Sequence, residues 1–226
     1  QKAPTIAPYW DGVDVCEKSE ASRNVRRKIG LVFQYPEYQL FEETVLKDVC
    51  FGPKNLGLSQ DVCEERSFHA LNLVGLDAEG VKDRSPFSLS GGEKRRVAIA
   101  GVLAMDPEVL ILDEPTAGLD PKGHNDVLEM IQNIRRSREL TIILVSHNMD
   151  DIARLADHVL VMDAGALVME GSPKSIFAQE EKLRDLGLAV PSATALMQRL
   201  ARQGYPVRTD ILTAAEAEEE IIRIFG

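Results

Sequence analysis

At 226 residues, 44% hydrophobic and 27% charged, the chain can bury a real core as one large domain or two small ones, which argues against disorder or a purely fibrous architecture. A formal net charge of −10, with Lys and Arg densest only at Arg26-Arg27-Lys28 and Lys94-Arg95-Arg96, makes nucleic acid a poor main partner. The three cysteines are scattered without a C-x-x-C pair, against a disulfide framework or zinc site and in favour of a reducing cytosol; the apolar runs fall far short of the ~18 residues of a membrane span, so any membrane role is peripheral.

Residues 1–20, punctuated by Pro4, Pro8 and Gly12, read as short strands joined by turns. After a basic stretch, residues 29–33 form a β-branched apolar strand that Gln34-Tyr35-Pro36 ends, since the residue before proline is pushed toward extended geometry. A loop is expected next. From Ser59 the pattern is helical, with Val62, Cys63, Ala70, Leu71 and Val74 on one face and Gly75 at the C-terminal cap. Helices and strands then alternate: a helix over 93–105, a buried strand over 109–112, a helix striped by Val127, Leu128, Ile131 and Ile134, and a strand over 141–145. Two such units in series mean a parallel sheet. A short helix precedes a hairpin over 158–169, turning at Asp163-Ala164-Gly165, and Ser172-Pro173 caps a further helix. Beyond about residue 183 two amphipathic helices follow, the second opened by Thr213-Ala214-Ala215-Glu216 with the spacing of a capping box.

Four stretches carry chemistry. Leu89-Ser90-Gly91-Gly92-Glu93 puts a hydroxyl and two side-chain-free residues at a helix start, where unpaired N–H groups and the positive dipole end suit an anion; a plain N-cap and turn has the same composition. The strand Val109-Leu110-Ile111-Leu112 ends in Asp113-Glu114-Pro115, at the carboxyl edge where open α/β sheets bind ligands. Asp113 suits Mg²⁺ and Glu114 suits a water that attacks a terminal phosphate, against the plainer reading of solvated charge closing a strand. A second strand end presents His147, able to donate to a γ-phosphate oxygen, while His69, His124 and His158 carry no comparable context. Gln34 offers a neutral oxygen to Mg²⁺ or water.

Taken in order, Gln34, Leu89-Ser90-Gly91-Gly92, Leu110-Ile111-Leu112-Asp113-Glu114-Pro115, Gly118-Leu119-Asp120 and His147 resemble the Q-loop, signature motif, Walker B, D-loop and H-loop of ABC ATPases. Within that family, residues 32–41, Phe51-Gly52-Pro53-Lys54-Asn55-Leu56-Gly57 and Arg84-Ser85-Pro86-Phe87 resemble the ATPases of energy-coupling-factor transporters, importers of vitamins and metal ions. The resemblance implies a P-loop NTPase-like α/β core over residues 1–175, a helical subdomain with the signature motif at about 40–92, and a small helical extension over 176–226 that helps pair the subunits.

It further implies ATP and Mg²⁺, with Asp113 and Gln34 on the metal, Glu114, His147 and Gln34 catalytic, and Ser90, Gly91, Gly92, Glu93 and Asp120 on nucleotide. The implied partners are a second ABC ATPase subunit, identical or not, a transmembrane coupling subunit and a substrate-binding membrane subunit, at the cytoplasmic face of the membrane. Two departures stand out. Glu93 replaces the usual glutamine, a change expected to be tolerated because serine and glycine carry the phosphate contacts. No G-x-x-x-x-G-K-S/T occurs; Gly118 to Gly123 is a decoy followed by His124-Asn125, so a chain truncated before Gln1, and inactive alone, is expected. Non-transport ABC ATPases of DNA repair or translation, and a degenerate regulatory partner, are the alternatives.

Overall fold

Residues 9–226 are described by the computed structural model and fall into two units, the first reaching Val145 and the second running from Ser146 to Gly226. The expectation of short strands at the start is met by β1 (Tyr9–Trp10) and β2 (Val13–Asp14), an antiparallel pair turning through Asp11 at φ 47 and Gly12 at φ 79. What was expected of residues 1–8 lies outside the described residues. The basic stretch that follows is not a mere preface to a strand but a helix, α1 (Glu20–Arg27), capped by Ser19 and ending on Arg26 and Arg27, where positive charge suits the dipole. Its buried Ser22 donates to the Asp14 and Val15 carbonyls, both at 2.9 Å.

A parallel sheet of three strands organises this unit: β3 (Ile29–Val32), β4 (Val109–Asp113) and β5 (Thr141–Val145), with β4 in the middle. Val32 pairs with Leu112, and Asp113 with Val145. The central strand is deeply buried at Leu110 and Leu112, as its unbroken apolar run required. Gly30 in β3 has a steric reason, since a Cβ there would stand 2.6 Å from Val102 Cγ1 in the helix seated on the strand.

Between β3 and β4 lie α2 (Val45–Asn55), α3 (Gln60–Leu73), α4 (Ala78–Val81) and α5 (Gly91–Leu103); α6 (Pro121–Ser137) leads on to β5. The expected loop before Ser59 is corrected by α2. Thr44 caps it, Val45, Val49, Cys50 and Pro53 turn inward, and the proline, in the last turn, costs the ladder one bond, the N–H that would reach the Val49 carbonyl. Helix α3 begins after Ser59 and Gly75 follows its end at φ 77 as expected, but Val62 is exposed and Ser67 is buried in its stead, donating to the Cys63 carbonyl at 2.7 Å. Tyr35 is a second correction. Although it precedes a proline, it adopts φ 57 and ψ 54 and caps a 3₁₀ turn at Pro36–Gln39, and its ring packs beside Gly118, whose added Cβ would sit 3.1 Å from Tyr35 Cε1.

The second unit contains α7 (Met149–Leu155), the hairpin of β6 (Val159–Asp163) and β7 (Ala166–Gly171), α8 (Pro173–Phe177), α9 (Glu180–Asp185), α10 (Ser192–Arg202) and α11 (Ala214–Phe225). Ala164 and Gly165 turn the hairpin at φ 47 and 80, the pair of positive values a two-residue connection demands. Helices α10 and α11 enclose Ala193, Met197, Val207, Ile211 and Ala217, and the Thr213–Glu216 capping box forms as its spacing indicated. Among the described residues no helix is long and apolar enough to cross a membrane.

Candidate nucleotide site

The carboxyl ends of β3 and β4 lie side by side, and the chain leaves each through a non-glycine residue of positive φ, Tyr35 and Glu114. Asp113 is the half-buried last residue of β4. Glu114 follows at φ 47, with its N–H donating to the Val145 carbonyl at 2.9 Å and its own carbonyl accepting from Ala117. A left-handed non-glycine residue costs roughly 1–3 kcal/mol and gathers at working sites. Gln34 is exposed two residues beyond β3, on the same edge of the sheet as Asp113 and Glu114.

The signature segment opens α5. Ser90 is exposed and is the N-cap: its hydroxyl oxygen accepts from the Glu93 N–H at 3.3 Å, while Glu93 accepts from the Ser90 N–H and hydroxyl, both at 2.8 Å. Hydrogen bonds from the Ser90 backbone and hydroxyl, aided by Arg84, hold the Glu93 carboxyl below the usual carboxylate range, so it is ionised at neutral pH. Glu93 therefore does more than replace a glutamine: it closes a capping box and engages the serine hydroxyl. Gly91 and Gly92 have helical backbones, and a Cβ added to either would meet nothing within 4 Å. Neither conformation nor packing within the chain calls for glycine there. The first N–H groups of the helix have no intrahelical acceptor, and the space a Cβ would fill at either glycine is open.

Asp120 is exposed and caps α6, accepting from the Gly123 N–H at 2.7 Å, so this carboxylate also orders the helix start after Gly118-Leu119. His147 is exposed and lies in the second unit, two residues beyond the end of β5 in the chain. Sequence reasoning missed Arg95 and Glu37. Arg95 is 1% exposed, and its Nη2 stands 2.8 Å from Glu37 Oε1. Its Nη1 donates to the carbonyls of Pro115 at 2.9 Å and Ala117 at 3.0 Å, in the loop after Glu114. The available signal was spacing: Arg95, Ile99 and Leu103 fall four residues apart on the buried side of α5.

A parallel sheet with paired carboxylates at its edge, beside a helix opened by serine and two bare glycines, defines an ATP-handling cassette of the ABC class. The ABC transporter family model matches residues 7–117. Energy-coupling factor transporter ATP-binding protein EcfA2 of Caldanaerobacter subterraneus subsp. tengcongensis is 52% identical over 215 residues, covering 95% of this chain and 75% of the relative. The solved structure of cbiO1 from Clostridium perfringens, part of the ABC transporter complex cbiONQ, superposes with a TM-score of 0.68 at 38% identity over 87% of this chain and 73% of that one. A dimeric ATP-binding cassette, MJ0796, in a post-hydrolysis state with ADP and Pi, gives a TM-score of 0.59 at 26% identity over 73% and 72%. The chain belongs to the family of energy-coupling factor transporter ATP-binding proteins, ABC ATPases that use ATP to energise transport.

Proposed function

We propose that this ATPase binds nucleotide between two head-to-tail subunits, offering Ser90, Gly91 and Gly92, with Glu93 and Asp120 ordering the helix starts behind them, to ATP on the phosphate loop of the other subunit. The observation that carries this reading is the open space at Gly91 and Gly92, glycines that nothing within the chain requires. In the reaction, a water attacks the γ-phosphorus and passes its proton to Glu114 while the bond from the γ-phosphorus to the bridging oxygen breaks and ADP leaves. Gln34 and His147 hold that water and the γ-phosphate oxygens.

The donor set suits Mg²⁺. No cluster of three or more His, Cys, Asp or Glu able to hold a metal occurs among the described residues, and Mg²⁺ asks for less: one or two hard protein oxygens, completed by phosphate and water. Asp113 and Gln34 would supply those oxygens, and the ion, when bound, neutralises charge on the phosphates.

The ATPase domain is read as residues 1–175, including the helical signature part at about 40–92, with 176–226 as the extension that pairs subunits. Further partners are a transmembrane coupling subunit and a membrane subunit that binds the vitamin or metal ion, with the ATPase on the cytoplasmic face. An aromatic surface beside Gln34 supports a membrane-protein partner: Tyr38 is 83% exposed, and Phe41 and Phe51 meet edge-on at 4.9 Å while both stay exposed. EcfA2 and cbiO1 named above are parts of transporters, which favours this reading over DNA repair, translation or a regulatory role.

The test is Glu114→Gln in the full subunit assembled with its transporter. Turnover should fall by about 10²–10⁴-fold, the usual contribution of a positioned base, with ATP binding kept. A wild-type rate would remove Glu114 from this role.

A further inference from the structure

One buried cation joins three of these motifs. Arg95 lies in the second turn of α5, and each of its three guanidinium nitrogens has a partner. Nε and Nη2 fork onto the Glu37 carboxylate at 3.0 and 2.8 Å, and Nη1 is shared by the Pro115 and Ala117 carbonyls. Glu37 stands three residues after Gln34, Pro115 directly follows Glu114, and Ser90 caps the helix that carries the arginine. Burial raises the Glu37 carboxyl, but the hydrogen bonds from Arg95, a hydrogen bond from the Glu37 backbone and the charge of the guanidinium together outweigh it and leave the group below its ordinary value, so both partners are charged at neutral pH.

A buried ion pair is a poor device for stability alone, because desolvation offsets most of the attraction and well-packed apolar side chains often do as well. The planar fork of arginine does something apolar packing cannot: it fixes direction and distance to a carboxylate and two carbonyls at once, which a lysine would not reproduce. We propose that Arg95 is a positioning residue that fastens the turn after Gln34 and the loop after Glu114 to the signature helix, so that the three move as one body and Glu114 is seated through the Pro115 carbonyl. Displacement of the exposed aromatic segment beside Glu37 is thereby passed to the general base. The inference rests on the assignment of Glu114 as that base.

Steady-state ATPase measurements on the full subunit in its assembled transporter test it, with Arg95→Lys and Glu37→Gln as perturbations and Arg96→Lys as the matched control. Arg96 belongs to the same helix but donates to the Val74 carbonyl at 2.6 Å, away from the motif loops. Arg95→Lys and Glu37→Gln should each lower kcat by about 10–100-fold, the order expected when a reacting group is displaced by an ångström, and shift KM for ATP by less than about threefold. The double variant should be no slower than the slower single one, since both remove one connection. Arg96→Lys should stay within about twofold of wild type on the same reasoning. Wild-type kcat in either Arg95→Lys or Glu37→Gln, or an equal loss in Arg96→Lys, overturns the proposal. If Arg95→Lys fails to fold, Glu37→Gln, which retains the arginine and its carbonyl contacts, decides alone. A wild-type rate in Glu114→Gln would instead strike the underlying assignment, whereas an inactive Glu114→Gln beside a fully active Arg95→Lys sinks only this inference.

Discussion

Gly92→Ala separates a binding role from a packing role because the two predict opposite signs. Gly92 is the second residue of α5, its backbone is helical, and an added methyl would meet nothing within 4 Å. Alanine there restricts the unfolded chain without strain in the folded one, which stabilises by about 0.4–1 kcal/mol. For a domain of this size about 1 kcal/mol moves Tm by roughly 2–4 °C, so a rise of roughly 1–4 °C is expected. Activity should move the other way. Because helical Cβ bonds tilt toward the N-terminus, the methyl would crowd a ligand seated on the helix's first N–H groups, and loss of one such donor to a developing anion costs about 10²–10³-fold in kcat, or about 2.7–4 kcal/mol. Calorimetric melting of the subunit and steady-state ATPase turnover of the assembled transporter, made on the same preparation, give both numbers. A fall in Tm that accompanies the loss of activity would mean that the glycine serves packing. Unchanged turnover would mean that nothing approaches this helix start.

The tail of the second unit makes two further expectations. Glu220 is 2% exposed, and hydrogen bonds from the Arg223 side chain and the Arg208 N–H depress its carboxyl from 4.5 to about 2. A carboxyl with a depressed folded pKa contributes stability that is full above its unfolded value, near 4.5, and is lost as pH falls toward about 2. Urea midpoints measured between neutral pH and pH 2 should therefore drop across that window in the parent and drop less steeply in Glu220→Gln; parallel curves would discount the network. Thr213→Ala removes the hydroxyl that accepts from the Glu216 N–H at 3.3 Å and should cost about 1 kcal/mol, read as earlier loss of helical signal in denaturant titration, whereas an unaltered midpoint would mean that the box contributes nothing.

What could be read from residues alone divides by how far apart the interacting groups lie. The Thr213–Glu216 box, the Ser172-Pro173 start and the Ala164-Gly165 turn were legible because each partner lies within a few residues, so spacing encodes the contact. The strand over residues 109–112 was legible because four apolar residues closed by two acids fit a buried strand at a sheet edge. Helix α2 was hidden because Phe51-Gly52-Pro53 suppresses a helical reading, although the proline falls where the helix is already ending. Tyr35 defeats the rule for residues before proline because a ring packed against Gly118, far along the chain, outweighs a local preference.

Arg95 is the extreme case. It sits in a basic cluster that reads as solvated surface, and its carboxylate partner is 58 residues away, so no local pattern names the pair. The same division runs through the site. The groups placed on ATP chemistry stand in recognisable strings, while the connection that would keep them in register is long-range and appears only once Arg95 of α5 reaches the segments that follow β3 and β4. A substitution judged mild by type, arginine to lysine within a basic run, is thus expected to matter more to turnover than many changes inside the strings, because it removes the direction of a contact and keeps only its charge.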